Sequence, residues 1–190
     1  FYDKADNFAL YPTTDGEYFT FDELKENIKD QQTDKDDKLV ILYASEVDSQ
    51  HSYIKQAKDK GYKVLLLDSP IIGHLIQKME GSKDKVTFAR VDGDTLENLI
   101  KKDETVISKI SDKEKEKLKP IIEDVVKEGG YTVQLEPLDS KSLPFVLTQP
   151  EFMRRMKEMQ QTGGGGMMGN MPDMYNLAVN TNHELVSQIL

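Results

Sequence analysis

The sequence contains no cysteine among its 190 residues. This absence excludes disulfides, thiolate catalysis and metal sites built on cysteine.

Apolar runs are also short, and none approaches the roughly 18 residues that a membrane-spanning helix needs. The chain opens with FYDKADNF, without the basic and then apolar start of a signal peptide and without Met, and it ends within an apolar run, HELVSQIL. We therefore expect a piece of a larger protein.

Acidic residues outnumber basic ones in this chain. It holds 34 acidic and 25 basic residues, and its formal net charge is −9. No basic run and no alternation of aromatic and basic residues is present, although both are typical of nucleic-acid interfaces. We therefore expect neither a nucleic acid nor a membrane as a partner.

Catalytic and metal-binding patterns are missing as well. The three histidines, His51, His74 and His183, fall on different predicted helices or their caps, and none has a partner at a ligand spacing such as i, i+4. No G-x-S-x-G turn is present, and no pair of carboxylates stands out from the many exposed ones. The sequence therefore predicts no catalytic residue, no metal site and no cofactor in this chain.

The glycine run Gly163–Gly166 raises the question of a phosphate-binding loop. Such a loop needs a strand before it and a Lys-Ser/Thr pair at its end. Here a polar helical pattern precedes the glycines and Met-Met follows them, which favours a flexible linker. The turn after the first predicted strand, ASEVDSQ, contains no glycine, so a nucleotide-binding sheet is weakly supported.

Strand-like and helix-like patterns alternate between residues 39 and 130. Buried strands are predicted at LVILYAS (39–45), KVLLLD (63–68) and VTFARVD (86–92). Short connections between alternating strands and helices predict a parallel sheet with helices on its faces. The first helix is predicted from Ser49, as the cap, to about Asp59, and the second opens at Pro70 and is followed by Gly81. A third follows Asp94 as its cap. The last begins at Asp112 and ends before Gly129-Gly130, with an apolar stripe of Leu118, Ile121, Ile122, Val125 and Val126.

The segments on either side of this region have different patterns. Thr20 and Glu23 form a capping box for a helix from Phe21 to about Ile28, and KDQQTDKDDK (29–38) has the composition of a solvated linker. After residue 130, YTVQLEPL and LPFVLTQ predict an antiparallel pair of strands. A helix over 150–161, a strand over 176–179 and a final helix capped by Asn182 complete the prediction. The fold class is therefore α/β: a small three-layer αβα parallel-sheet subdomain followed by a partial α+β domain, with a boundary near residue 130.

Methionine is concentrated near the end of the chain, where seven of the eight fall between Met153 and Met174. Phe152, Met156 and Met159 share one narrow face of a predicted helix, and Met153 widens it. Two interpretations stay open. The face belongs to a core, or it is an adaptable contact surface that continues into the glycine-rich segment with Met167, Met168 and Met171, because methionine packs against varied partners.

The order LVILYAS, GYKVLLLDSPI, FARVDGD, KPIIEDVVK and LPFVLTQPEFMRRMKEM resembles the bacterial HtpG type of the 90-kDa heat-shock-protein chaperones over essentially the whole chain. By this resemblance, residues 1–38 correspond to the end of the large middle-domain subdomain. Residues 39–130 correspond to the small αβα middle subdomain, and residues 131–190 to the start of the C-terminal domain.

The resemblance implies an ATP-dependent, homodimeric, cytoplasmic chaperone of the stress response that binds partly folded client proteins. It places the ATP and Mg²⁺ site outside this chain, which would have no cofactor and no catalytic activity. It maps the client-contacting amphipathic helix of the family onto Phe152, Met153, Met156 and Met159, and the adaptable-surface interpretation adds Met167, Met168 and Met171. Family members often carry an acidic-aromatic pair that also contacts clients, but DSPIIGHLI has Gly73 and His74 in place of that pair, which leaves Ile72 and His74 as the candidates there. Two alternatives remain open: a purely structural dimerisation module, and an independent nucleotide-binding α/β domain.

Overall fold

The computed structural model describes residues 8–69, 72–104, 106–155 and 174–190. The chain divides into two compact units. The first contains the residues up to Asp92 together with Leu96–Asp103, and the second contains Gly93–Thr95 and Glu104–Leu190.

The first unit is built on a parallel sheet of three strands in the order β4-β3-β5. A short antiparallel ribbon, β1-β2, precedes it. The predicted alternation of strands and helices is confirmed, although β4 and β5 are shorter than predicted. The elements are β1 (Tyr11–Pro12), β2 (Tyr18–Phe19), α1 (Phe21–Gln32), β3 (Leu39–Ala44), α2 (His51–Asp59), β4 (Val64–Leu66), α3 (Ile72–Ser82), β5 (Val86–Arg90) and α4 (Leu96–Leu99).

The central strand β3 is buried along its whole length. Its odd-numbered residues pack in a cluster with residues of α1 and α3, and its even-numbered residues pack in a second cluster with residues of α2 and α4. Because successive side chains of a strand point to opposite faces, this arrangement requires an apolar residue at every position of β3. The continuous run LVILYA meets that requirement, and the three-layer αβα prediction is confirmed.

Helix α1 begins as predicted and ends later. The side chain of Thr20 accepts from the backbone N–H of Glu23, and the Glu23 carboxylate accepts from the backbone N–H of Thr20, which completes the capping box. The helix continues to Gln32, whose side chain is fully buried. The interpretation of residues 29–38 as a solvated linker is therefore wrong in its first part, because Gln32 is fixed by hydrogen bonds to the sheet.

The start of α2 also differs from the prediction. Gln50, rather than Ser49, occupies the N-cap position, and it makes no side-chain capping bond. The Ser49 hydroxyl instead donates to the Glu46 carboxylate at 2.8 Å. At the other end, Gly61 adopts a φ of 78°, in the left-handed region that favours glycine after a helix.

The second unit contains a mixed sheet in the order β6-β8-β7, in which β8 pairs parallel with β6 and antiparallel with β7. The predicted antiparallel pairing of the two strands that follow residue 130 is wrong, because β8 lies between them. The elements are α5 (Asp112–Val126), a 3-10 turn (Lys127–Gly129), β6 (Tyr131–Glu136), β7 (Phe145–Thr148), α6 (described over 151–155), β8 (Tyr175–Asn180) and α7 (Glu184–Ser187).

Helix α5 packs on one face of this sheet. Leu118 and Ile122 are buried in a cluster with Val133, Val179 and Val186, and Val126 packs against its edge. The remaining members of the predicted stripe stay exposed, Ile121 at 44% and Val125 at 77%. The helix runs through Pro120 as one element.

The compact units do not coincide with the segments predicted from the sequence. Helix α5 belongs to the second unit, whereas the composition shift predicted a boundary near residue 130. Similarly, α1 shares a core cluster with β3, on the other side of the predicted boundary at residue 38. The assignment of residues 1–38, 39–130 and 131–190 to domains of the chaperone family stays a prediction.

Candidate functional site

The first turn of α6 contains an internal ion-pair cluster. Glu151 Oε2 accepts from Arg154 Nε at 2.9 Å, and Glu151 Oε1 accepts from Arg155 Nε at 2.8 Å. The side chain of Arg154 is only 12% exposed and that of Glu151 28%. The Arg154 backbone N–H also donates to the Pro150 carbonyl at 3.1 Å. These contacts all lie within residues 150–155, so they stabilise the turn itself.

The electrostatics of Glu151 follow from this geometry. Burial raises the pKa of the carboxyl group, whereas the hydrogen bonds and positive charges of Arg154 and Arg155 lower it, and the net effect is a pKa below the ordinary value. The ionised form of Glu151 is therefore the one that the folded unit stabilises.

Phe152, in the same turn, is largely exposed to solvent. Its side chain is 70% exposed, although the residues on either side, Glu151 and Met153, are half-buried. A large aromatic side chain that is exposed between partly buried neighbours is available to contact another molecule. Met174, which directly precedes β8, is also exposed, at 45%.

The other predicted client-binding residues fall into two groups. Met156, Met159, Met167, Met168 and Met171 lie outside the described residues. Ile72 and His74 lie in α3 of the first unit, where Ile72 is half-buried against the core cluster and His74 is exposed. Packing therefore accounts for Ile72 without a client, and all of these residues stay predictions as contact sites.

A buried polar network in the second unit was not predicted. Asn180 is fully buried, and its Oδ1 accepts from the backbone N–H groups of Leu138 and Asn182 at 3.2 and 3.0 Å. Its Nδ2 donates to the Asp139 carbonyl at 2.8 Å. The network ties the end of β8 to the segment that follows β6.

Asn182 extends this network instead of capping a helix. Its Oδ1 accepts from the Lys109 backbone N–H at 2.6 Å, and its Nδ2 donates to the carbonyls of Ile107 and Leu138 at 3.1 and 3.0 Å. His183 caps α7, because its side chain accepts from the Leu185 backbone N–H. The predicted N-cap role of Asn182 is therefore wrong. The only sequence signal of the network is the pair of asparagines in VNTN, directly after an apolar strand.

The turn after β3 does not fit a nucleotide phosphate. A phosphate needs unpaired backbone N–H groups, but those of Ser45 and Glu46 already donate to Gln50 Oε1 at 2.8 and 3.0 Å. The carboxylates of Glu46 and Asp48 add negative charge to the same turn, which opposes an anion. This geometry argues against the independent nucleotide-binding domain.

The described residues offer no other kind of site of two common types. No group of three or more histidine, cysteine, aspartate or glutamate residues there is arranged to hold a metal ion. Across the same part of the chain, the helices are too short or too polar to span a lipid bilayer.

Comparison with known proteins gives one consistent result. No protein-family model matches the chain. The chain is 41% identical to chaperone protein HtpG of Bacteroides fragilis strain YCH46, 40% to that of Porphyromonas gingivalis strain ATCC 33277 and 39% to that of Bacteroides thetaiotaomicron, each over 194 aligned positions. Each match covers 100% of this chain and 28% of the relative, so the chain spans just over a quarter of the length of these proteins. With this identity along its whole length, the chain belongs to the HtpG-type family of 90-kDa heat-shock chaperones.

Proposed function

We propose that the chain is part of an ATP-dependent molecular chaperone and that the α6 region contacts the apolar surface of partly folded client proteins. The names of the relatives support the chaperone role. The observation that carries the local role is the exposure of Phe152 beside the ion pair of Glu151 and Arg154.

The physical basis is the burial of an aromatic side chain by the client. A phenylalanine side chain buries roughly 150–250 Å² when it is fully covered. At about 25 cal/mol per Å², covering the exposed part of Phe152 would contribute about 3 kcal/mol. One such contact supports weak binding, and a micromolar dissociation constant, about −8 kcal/mol, needs the neighbouring methionines as well. Weak and adaptable contacts suit clients of many sequences.

The proposal gives this chain a non-catalytic role. ATP and Mg²⁺ binding and ATP hydrolysis would belong to other parts of the longer protein, which would act as a homodimer in the cytoplasm. The chain would supply client contacts and the structure that connects those parts.

The test is the substitution Phe152→Glu, assayed by the binding of a permanently unfolded protein to the full 190-residue chain. We expect binding to weaken about tenfold or more, because a charge replaces the apolar contact. The thermal unfolding temperature should stay unchanged, since the side chain is largely exposed in the folded state.

The matched control is Val125→Glu, which places the same charge on another exposed apolar position of the second unit, one that is 77% exposed. It should leave client binding unchanged. Equal weakening by both substitutions would contradict a local role of α6. A fall in the unfolding temperature of Phe152→Glu without loss of client binding would instead favour the purely structural module.

A further inference from the structure

The outer edge of β5 presents backbone groups that no described strand pairs with. The Leu39 backbone N–H donates to the Lys85 carbonyl, and the Val91 backbone N–H donates to the Tyr43 carbonyl. Because backbone groups alternate in direction along a strand, the groups of the intervening Thr87 and Ala89 also point to β3. Those of Val86 and Phe88 therefore point away from the sheet. Edges of this kind accept additional strands.

Glu80 closes part of this edge. Its Oε1 accepts from the Phe88 backbone N–H at 2.7 Å and from the Thr87 hydroxyl at 3.1 Å. Glu80 lies near the C-terminal end of α3, where a negative charge is unfavourable for the helix dipole. The carboxylate covers an outward-pointing backbone N–H of the edge strand.

Space for an added chain lies beside the same strand. A cavity of about 620 Å³ is lined by Lys38, residues 80–85, Val86 and Thr87. It opens along the first half of β5, next to Glu80. An extended segment laid there would reach the backbone groups of Val86 and, once the carboxylate is displaced, the N–H of Phe88.

Charge distinguishes between two possible occupants. Two copies of the chain, each with a net charge of −9, repel each other. A two-fold pairing of β5 with its own copy would also bring the two Glu80 carboxylates towards each other. The cavity is lined by both basic residues, Lys38, Lys83 and Lys85, and acidic ones, Glu80 and Asp84. It therefore does not strongly repel a peptide of either charge. An extended peptide is therefore favoured over a second copy.

We propose that the outer edge of β5 is a strand-addition site for an extended polypeptide segment, with Glu80 as its displaceable cap. The proposal rests on the proposed chaperone function for the source of the segment, a partly folded client. Recognition through backbone hydrogen bonds is independent of sequence, which fits clients of many kinds.

The probe is a fluorescently labelled eight-residue peptide of alternating threonine and valine with a lysine at each end, titrated by anisotropy. Glu80→Ala should bind it about tenfold more tightly or better than the unsubstituted chain, because a charge-assisted hydrogen bond no longer competes. Glu116→Ala, an equal charge change on the exposed side of α5, should have no effect. The same peptide with N-methyl groups on alternate residues should lose binding to both proteins.

A second readout keeps the test decisive. Hydrogen exchange of the Phe88 amide should accelerate in Glu80→Ala, while those of Thr87 and Ala89 stay protected. If Glu80→Ala does not fold, Glu80→Gln decides, since its neutral oxygen caps more weakly and should raise affinity severalfold. The proposal would be overturned if the peptide bound the unsubstituted and variant chains with equal affinity. It would also be overturned if the N-methylated peptide bound as tightly as the unmethylated one. A doubled mass of Glu80→Ala without peptide would overturn it as well, and would assign the edge to a second copy.

The outcome is separable from that of the proposed function. Phe152→Glu should leave peptide binding at β5 unchanged. If Phe152→Glu still bound the unfolded protein, the α6 role would fail. Tighter binding of the peptide to Glu80→Ala would still establish the strand-addition site in that case.

Discussion

The replacement of Gln32 by leucine gives the sharpest stability prediction for the first unit. The ladder between β3 and β4 begins at the pair of Leu42 and Val64. Before that pair, the Gln32 side chain joins the two strands: its Nε2 donates to the Val40 carbonyl at 2.9 Å and its Oε1 accepts from the Lys63 N–H at 2.6 Å. The side chain is 0% exposed, so water cannot replace either bond.

Two backbone groups are left unpaired when leucine takes this position. Each costs about 1–3 kcal/mol, and the apolar gain of a buried leucine offsets about 1–2 kcal/mol of the total. We therefore expect Gln32→Leu to lower the free energy of unfolding by about 3 kcal/mol. Urea denaturation followed by circular dichroism and calorimetry would measure this, and Gln31→Leu on the exposed side of α1 is the control, expected to change stability by less than about 0.5 kcal/mol. A Gln32→Leu stability within that limit would refute the bridging role.

Two further predictions concern the second unit. Asn182→Ala removes three hydrogen bonds of a side chain that is 5% exposed, and it should lower the free energy of unfolding by about 2–4 kcal/mol. The control Asn27→Ala, on the exposed side of α1, should lower it by less than about 0.5 kcal/mol. Equal losses of stability in the two variants would contradict the role of the Asn182 network. Glu151 has a lowered pKa in the folded state, so its contribution is present above its unfolded pKa of about 4.3 and is lost as the pH falls through the folded pKa. The unfolding temperature of Glu151→Gln should therefore lie below that of the unsubstituted chain at pH 7 and converge with it as the pH falls through the folded pKa, as a pH series of thermal melts would measure. A difference that is the same at every pH would contradict the role of Arg154.

The elements that the sequence predicted well are those set by local chemistry. The capping box of Thr20 and Glu23 requires only residues that are three positions apart, and it is present. The continuous apolar run of β3 predicts burial on both faces, and both faces are buried. Gly61 follows α2 with a positive φ because no side chain opposes that conformation.

The features that were missed depend on contacts between distant residues. Gln32 lies in a charged stretch, yet it is buried because its partner Lys63 is brought to it by the sheet. Asn182 was interpreted from its position before a helical pattern, but its partners lie more than 40 residues away, with Leu138 the nearest in sequence. Strands β6 and β7 are neighbours in sequence only, since β8 pairs with both.

In the candidate site, too, the locally determined feature was predicted and the features that depend on other contacts were not. The amphipathic pattern around Phe152 and Met153 predicted a helix, and helical residues begin at 151. The exposure of Phe152 could not be predicted, because it depends on the burial of Glu151 and Arg154 beside it. The cap that Glu80 forms on β5 was likewise invisible in the sequence, where Glu80 is one of many acidic residues on predicted helices.

Contact between the α6 region and clients can be observed by NMR of the methionine methyl groups. The eight methionines include Met79, which is buried at 2% exposure in the first unit and serves as an internal reference, and Met153 and Met174, which flank the methionine-rich segment. On titration with a permanently unfolded protein, we predict that the signals of Met153 and Met174 shift or broaden while that of Met79 stays unchanged. Signals that are all indifferent to the unfolded protein would contradict this contact and assign the methionines to packing.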